Sequence, residues 1–263
     1  MRNERGNGPA PAKRGKAARL DRRFLVENET RLSVIIEVAD DNKALRGVLR
    51  QVQRLRPKEM LLIANGTNDL SLDIALSHPA HNLTTFVYSF PLGQDVWRAI
   101  GAREASGDVL LFLDASSKIK GEELLPYVEA CYRGADIAIR KRGTARKGKK
   151  RTKSKQPPSP LSLAKAYLNS LLSQPGGKSS MIDLPFAMTR EAVSLVGSEH
   201  LLVPPLAYAR AVTNRLTVER IGQTGSTRKQ ASTPEQQRRD IVYLGDHLEA
   251  FQYVADQLDD ADS

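Results

Sequence analysis

Leu32–Val38 reads LSVIIEV and Val109–Leu113 reads VLLFL, short runs in which apolar residues follow one another instead of alternating with polar ones. A strand with one wet face alternates, whereas a strand covered on both faces does not, so such runs require a sheet enclosed by helices. Met60–Ile63 and Thr84–Tyr88 repeat the pattern, and Ile137–Ile139 adds a fifth strand. Between them lie helical periods. Leu45, Val48, Leu49, Val52 and Leu55 recur at helix spacing, with Asp40 or Asp41 as candidate caps and Pro57 as the stop. Asp95–Ala105 is a second helix, halted by Gly107 at a C′ position, and Glu122–Cys131 a third, followed by Gly134. The β-α-β-α alternation predicts an α/β fold with a mostly parallel central sheet and helices on both faces.

Beyond residue 139 the alternation breaks. Residues 140–160 form a Lys/Arg/Ser/Pro segment without period. Leu161–Leu172 and Arg190–Val196 then read as helices, and Leu216–Ile221 as a late strand. Thr233-Pro234-Glu235-Gln236 combines an N-cap, a proline at N1 and a capping-box glutamine. Behind it Ile241, Leu244, Leu248, Phe251, Ala255 and Leu258 are spaced 3-4-3-4-3; the stripe spans fewer than three heptads and reads as core packing, which leaves His247 on the polar, solvated side.

Charge divides along the chain in the same way. The net charge of +10 comes from two segments, 1–23 with eight basic residues and two acidic, and 140–155 with ten basic and none acidic. The rest is mildly acidic, so the basic character describes appendages and not the folded body. Cys131 is the only cysteine, which excludes an internal disulfide framework and a Cys-based zinc site. No uninterrupted apolar run is longer than Val109–Leu113, and the start of the chain lacks the apolar core of a secretory signal. The expectation is a soluble, cytoplasmic protein, peripheral at a membrane where its basic segments meet anionic headgroups. Nucleic acid is disfavoured as a partner, because no aromatics interleave the basic residues.

Three polar loops follow buried strands: Val38–Asn42, Ala64–Asp69 and Asp114–Ser117. In an open parallel sheet the ligand sits beyond the carboxyl ends of the strands, so these loops share one edge. Taken singly, each is also ordinary turn and cap chemistry, and Asp40 and Asp114 fit that role as well.

At these loops the sequence resembles the family 2 glycosyltransferases. Ser33–Leu45 (SVIIEVADDNKAL) is similar to their opening S-V-I-I-P-A-Y-N-E, and Glu59–Asp69 (EMLLIANGTND) to E-I-I-V-V-D-D-G-S-T-D. Arg98–Ser116 (RAIGAREASGDVLLFLDAS) is similar to R-N-x-G-x-x-x-A-x-G-D-x-L-L-F-L-D-A-D. A weaker likeness continues from 161 to 221, through Asp183–Met188 and Arg190–Ala192. The resemblance implies a GT-A fold, Rossmann-like: a nucleotide-sugar-binding half over 24–139, a flexible basic insertion over 140–160, an acceptor-side half over 161–230 and a C-terminal helix over 231–263, after a disordered tail over 1–23.

The chemistry implied is transfer of a sugar, with inversion, from a nucleotide-sugar donor to an envelope or lipid-linked acceptor. A divalent Mg or Mn ion held by carboxylates would neutralise the departing diphosphate. On this resemblance Asp40, Asn65, Asp69, Arg98 and Asp114 bind the nucleotide-sugar, Arg98 through the phosphates or by holding the structure around them. Asp114 and Ser116 occupy the metal positions, and Glu199 is the candidate catalytic base. The chain departs from the family pattern at Ser116 (second metal aspartate), Ala64 (base-reading aspartate), Ala99 (asparagine) and Glu37 (proline). Two further readings therefore stay open: a catalytically inactive GT-A-like protein that binds a sugar-nucleotide or a partner, and a basic-tailed adaptor.

Overall fold

The computed structural model describes residues 31–39, 44–66, 73–75, 77–79, 81–116, 119–142, 157–175, 177–222 and 233–262. The basic tail over 1–23, most of the basic run after Arg142, and Asp40, Asp41 and Asp69 lie outside them.

The expected runs are strands: β1 (Leu32–Ala39), β2 (Glu59–Asn65), β3 (Leu83–Tyr88), β4 (Val109–Asp114) and β5 (Ile137–Arg140). Helices α1 (Leu45–Gln53), α2 (Val96–Glu104) and α3 (Gly121–Tyr132) intervene. Then come α4 (Pro160–Leu171), β6 (Phe186–Thr189), α5 (Arg190–Val196), a 3-10 turn over Ser198–Leu202, α6 (Pro204–Thr213), β7 (Val218–Ile221) and the long α7 (Pro234–Asp262).

One sheet of seven strands runs through all of this in the order β3-β2-β1-β4-β6-β5-β7. Every neighbouring pair is parallel except those made by β6, which is antiparallel to both β4 and β5. The sheet is mostly parallel, as the non-alternating runs require. Alternate residues of each strand feed two cores. Val34, Ile36, Leu62 and Leu111 pack with α1 and α3, while Ile35, Ile63, Phe112 and Phe186 pack with α2 and the later helices. Phe112 and Phe186 stack across the β4–β6 pair with centroids 4.4 Å apart.

Local details correct the sequence reading. Ala44 occupies the N-cap position of α1, with no side-chain cap bond. The stop of α2 is Ala105 in extended backbone. Gly107 serves close approach instead, for a Cβ there would stand 2.6 Å from the Arg31 carbonyl oxygen and from Ser33 Oγ. On α7 the cap is as expected, with Gln236 N–H donating to Thr233 Oγ1. Its inward face differs from expectation. His247, Ala250 and Val254 are buried, whereas Ile241, Leu248 and Leu258 of the 3-4-3-4-3 stripe are 67%, 67% and 58% exposed. His247 is not solvated; burial pushes its pKa down and keeps the ring neutral near pH 7.

Candidate active site

The sheet face that carries Ile35, Ile63 and Phe112 turns polar two residues further along each strand, at Glu37, Asn65 and Asp114. A strand's side-chain period of two keeps each pair on one face, so the apolar floor ends in a polar rim at the carboxyl edge of β2-β1-β4. Glu37 and Asp114 are direct partners in the parallel β1–β4 register. Asn65 reaches across from β2, its Nδ2 3.4 Å from Glu37 Oε1 and 3.4 Å from the Gly93 carbonyl. Its Oδ1 accepts from the Leu92 N–H at 2.7 Å. This ties the end of β2 to the loop before α2. Gly66 follows in left-handed backbone (φ +63°), with Pro91 against the position its Cβ would take.

Asp114 Oδ1 accepts from the Ser116 N–H at 2.6 Å, a local turn that holds the carboxylate at the strand end. Burial pushes the Glu37 carboxyl up to about 7; Asn65 opposes the rise, and the Asp114 charge adds to it. Sequence reasoning missed Glu37 as a site residue. The signal was a lone carboxylate inside an otherwise buried strand, paired in register with a metal-position aspartate.

Two elements close over this edge. The first is the start of α2, where Asp95 is 4% exposed and Arg98 2%. Arg98 Nε lies 2.7 Å from Asp95 Oδ1, and the guanidinium donates to the carbonyls of Met181 (2.7 Å) and Ile182 (3.3 Å). It also lies 5.3 Å from the ring centroids of both Trp97 and Phe186. Its hydrogen bonds and its ion pair are made inside the protein. Gly101, three residues on, brings α2 onto β1, since a Cβ there would collide with Ile35.

The second element is α7, which the sequence left out of the site. The Tyr243 hydroxyl hydrogen-bonds to the Asp95 carboxylate. Arg239 places its charge near Glu37. Asp246 faces Asp95, and burial together with that neighbouring acid pushes it up to about 6. Burial also pushes Asp95 up, against the lowering effect of Arg98 and Tyr243.

Of the remaining expected residues, Ser116 lies in the Asp114 turn, and Glu199 lies apart in the 3-10 turn that packs on α2. Glu199 is 68% exposed beside His200, with Oε1 3.3 Å from Nδ1. Among the described residues no hydrogen bond or ion pair joins Glu199 to the strand-end carboxylates. The structure brings Asn65 and Asp114 together, adds Glu37, and leaves Glu199 outside that cluster.

Comparison with known proteins matches this architecture. The model of glycosyl transferase family 2 matches residues 33–194. The undecaprenyl-phosphate 4-deoxy-4-formamido-L-arabinose transferase of Pectobacterium atrosepticum is 24% identical over 163 residues, 59% of this chain and 47% of that protein. The same enzyme of Pectobacterium carotovorum gives equal figures, so the chain spans about half the length of the curated relatives it matches. Among solved structures, glucosyl-3-phosphoglycerate synthase from Mycobacterium tuberculosis, in complex with Mn2+, UDP and glucosyl-3-phosphoglycerate, superposes with a TM-score of 0.64 at 12% identity, over 93% of this chain and 86% of that one. Mannosyl-3-phosphoglycerate synthase from Rubrobacter xylanophilus gives 0.60 at 14%, over 89% and 77%. The fold is GT-A, and the chain belongs to glycosyl transferase family 2.

Proposed function

We propose that the chain transfers a sugar from a nucleotide-sugar donor, bound at the β2-β1-β4 edge, to an envelope or lipid-linked acceptor. The observation that carries the reading is the convergence of Glu37, Asn65 and Asp114 on one face at that edge, inside the span matched by the family model. Asn65 would orient the nucleotide, with Asp40 and Asp69 contributing from the loops that follow β1 and β2.

The donor set suits a divalent cation of the Mg or Mn kind, which takes one or two carboxylates and completes its shell with water and substrate phosphate. Asp114 would hold it at the first metal position. Glu37, across the β1–β4 register, supplies the second carboxylate that Ser116 lacks. Such an ion would neutralise charge on the departing diphosphate. Arg239 adds a fixed positive charge on the α7 side of the same edge. Asp246, whose carboxyl burial and Asp95 push up to about 6, is the candidate proton acceptor on the α7 side of this site.

A lipid-linked acceptor is supported by the Pectobacterium relatives, whose names state undecaprenyl phosphate. It is supported also by ten basic residues between Arg140 and Lys155 that would draw the protein to anionic headgroups. No helix among the described residues is long and apolar enough to cross a membrane. The alternative, binding without catalysis, is favoured by the losses at the metal position Ser116 and the base-reading position Ala64.

Calorimetric titration with UDP, GDP and their sugar conjugates, with and without Mn²⁺, tests the proposal. The expected result is metal-dependent binding that Asp114→Ala abolishes, accompanied by donor hydrolysis. Binding without turnover would select the inactive reading; no binding by the folded protein would refute a donor site.

A further inference from the structure

The C-terminal helix α7 carries two stripes, of which one is buried and the other is covered only in part, where Phe251 packs against the core. Tyr243, His247, Ala250 and Val254 face inward, where Tyr253 Oη also meets Thr213 Oγ1 at 3.0 Å. The other stripe runs through Ile241, Leu244, Leu248, Phe251, Ala255 and Leu258, about 25 Å of helix at 1.5 Å per residue. Its members Ile241, Leu248 and Leu258 are more than half exposed. Beside it α4 presents Leu163 and Tyr167, 54% and 56% exposed, with Tyr167 edge-on to Phe251 at 5.1 Å. Between the two helices lies an open groove of about 440 Å³.

We propose that this stripe and groove form a self-association surface, on which a second copy of the chain lays its own α7 antiparallel to the first. The 3-4-3-4-3 spacing is that of a coiled-coil seam, whose complement is another helix with the same spacing. A two-fold axis between Leu248 and Phe251 sets Ile241 against the second copy's Leu258 and Leu244 against its Ala255, so a single patch serves both sides. Charge fixes the direction. Past its first turn the leading half of α7 balances Arg238 and Arg239 against Asp240 and Asp246, whereas its trailing half carries Glu249, Asp256 and Asp259 and no basic residue. Antiparallel helices set Arg238 near the second copy's Asp259, whereas parallel ones align like charges. The same acidic half repels an anionic bilayer, which argues against a membrane as the occupant of this groove.

The test is sedimentation velocity of the full chain across a concentration series, with circular dichroism as the check on folding. The wild type is expected at twice 29.0 kDa. Leu248→Glu is expected to fold and run as a single chain, and Leu195→Glu, an exposed leucine on α5 outside the stripe, to remain dimeric. Arg238→Glu and Asp259→Lys should each weaken association about tenfold, and the double variant should restore it. A monomeric wild type, or a dimer that survives Leu248→Glu, overturns the interface; failure of the double variant to restore association overturns the antiparallel arrangement. Binding of anionic vesicles by a monomeric protein, abolished by Leu248→Glu, would assign the patch to a membrane and refute the proposal.

Discussion

Arg98 stands at a motif position where phosphate contact and structural support are both reasonable, and Arg98→Met separates them. The side chain is 2% exposed and its ion-pair partner Asp95 is 3% exposed. Removing one member of a buried pair leaves the other charge uncompensated, at a typical cost of about 3–5 kcal/mol. Methionine fills much of the volume but returns nothing to the Met181 and Ile182 carbonyls, which lose their donors. The expected loss is about 4 kcal/mol at pH 7, a large share of the roughly 5–15 kcal/mol by which domains are stable. Asp95 then determines the pH dependence. Burial already pushes its carboxyl up, and without Arg98 it rises further, so the variant should recover part of the loss as pH falls and Asp95 takes a proton. The assay is urea unfolding at pH 7 and pH 5, repeated in Asp95→Asn and in the double variant. Because the double variant removes both charges, it should be more stable at pH 7 than Arg98→Met alone, with a coupling of about 2 kcal/mol or more. Folded Arg98→Met should still bind nucleotide. An Arg98→Met protein within about 1 kcal/mol of wild type that loses nucleotide binding would refute the argument and return Arg98 to the phosphates.

Three further outcomes follow from the same edge of the sheet. The folded form holds the Glu37 proton more tightly than the unfolded chain, since its pKa rises from 4.5 to about 7. Stability should therefore fall as pH rises between those values, by at most about 3 kcal/mol; Glu37→Gln should remove that part of the slope in metal-free buffer, as read by chemical denaturation across the range. Gly101→Ala should cost about 1–3 kcal/mol through the clash with Ile35, measured as a lower urea midpoint with an unchanged m-value. If Glu37 supplies the carboxylate that Ser116 lacks, Glu37→Gln should weaken Mn²⁺-dependent UDP binding about tenfold and Ser116→Asp should recover it in that background. Unaltered binding in Glu37→Gln would remove Glu37 from the metal.

The central strands and the rim loops were legible because the signals are local. LSVIIEV and VLLFL announce strands buried on both faces; the first contains Glu37 and the second is followed at once by Asp114, the polar groups that end the apolar face. The far side of the sheet was not legible. β6 is four residues long and runs against its neighbours, and it separates β4 from β5, the next strand in sequence. No periodicity records such an order, because it is set by pairing between segments more than seventy residues apart.

The misassigned face of α7 has a different cause. A hydrophobic period identifies a stripe and does not say what covers it. The buried stripe contains a tyrosine and a histidine, each with a polar atom engaged: Tyr243 holds Asp95, and His247 Nδ1 meets the Tyr243 carbonyl. Polar residues of this kind are buried only where partners await them, and the partner of Tyr243, Asp95, sits at the start of α2, some 150 residues earlier in the chain. The purely apolar stripe asks for no specific partner and so stood out in the sequence as the inward one. The same contacts explain why the site was under-read: α7 reaches the strand edge through its polar residues, so Arg239, Tyr243 and Asp246 join Glu37 and Asp95 by tertiary placement alone. Tyr243 lowers the proton affinity of Asp95, and Asp95 raises that of Asp246.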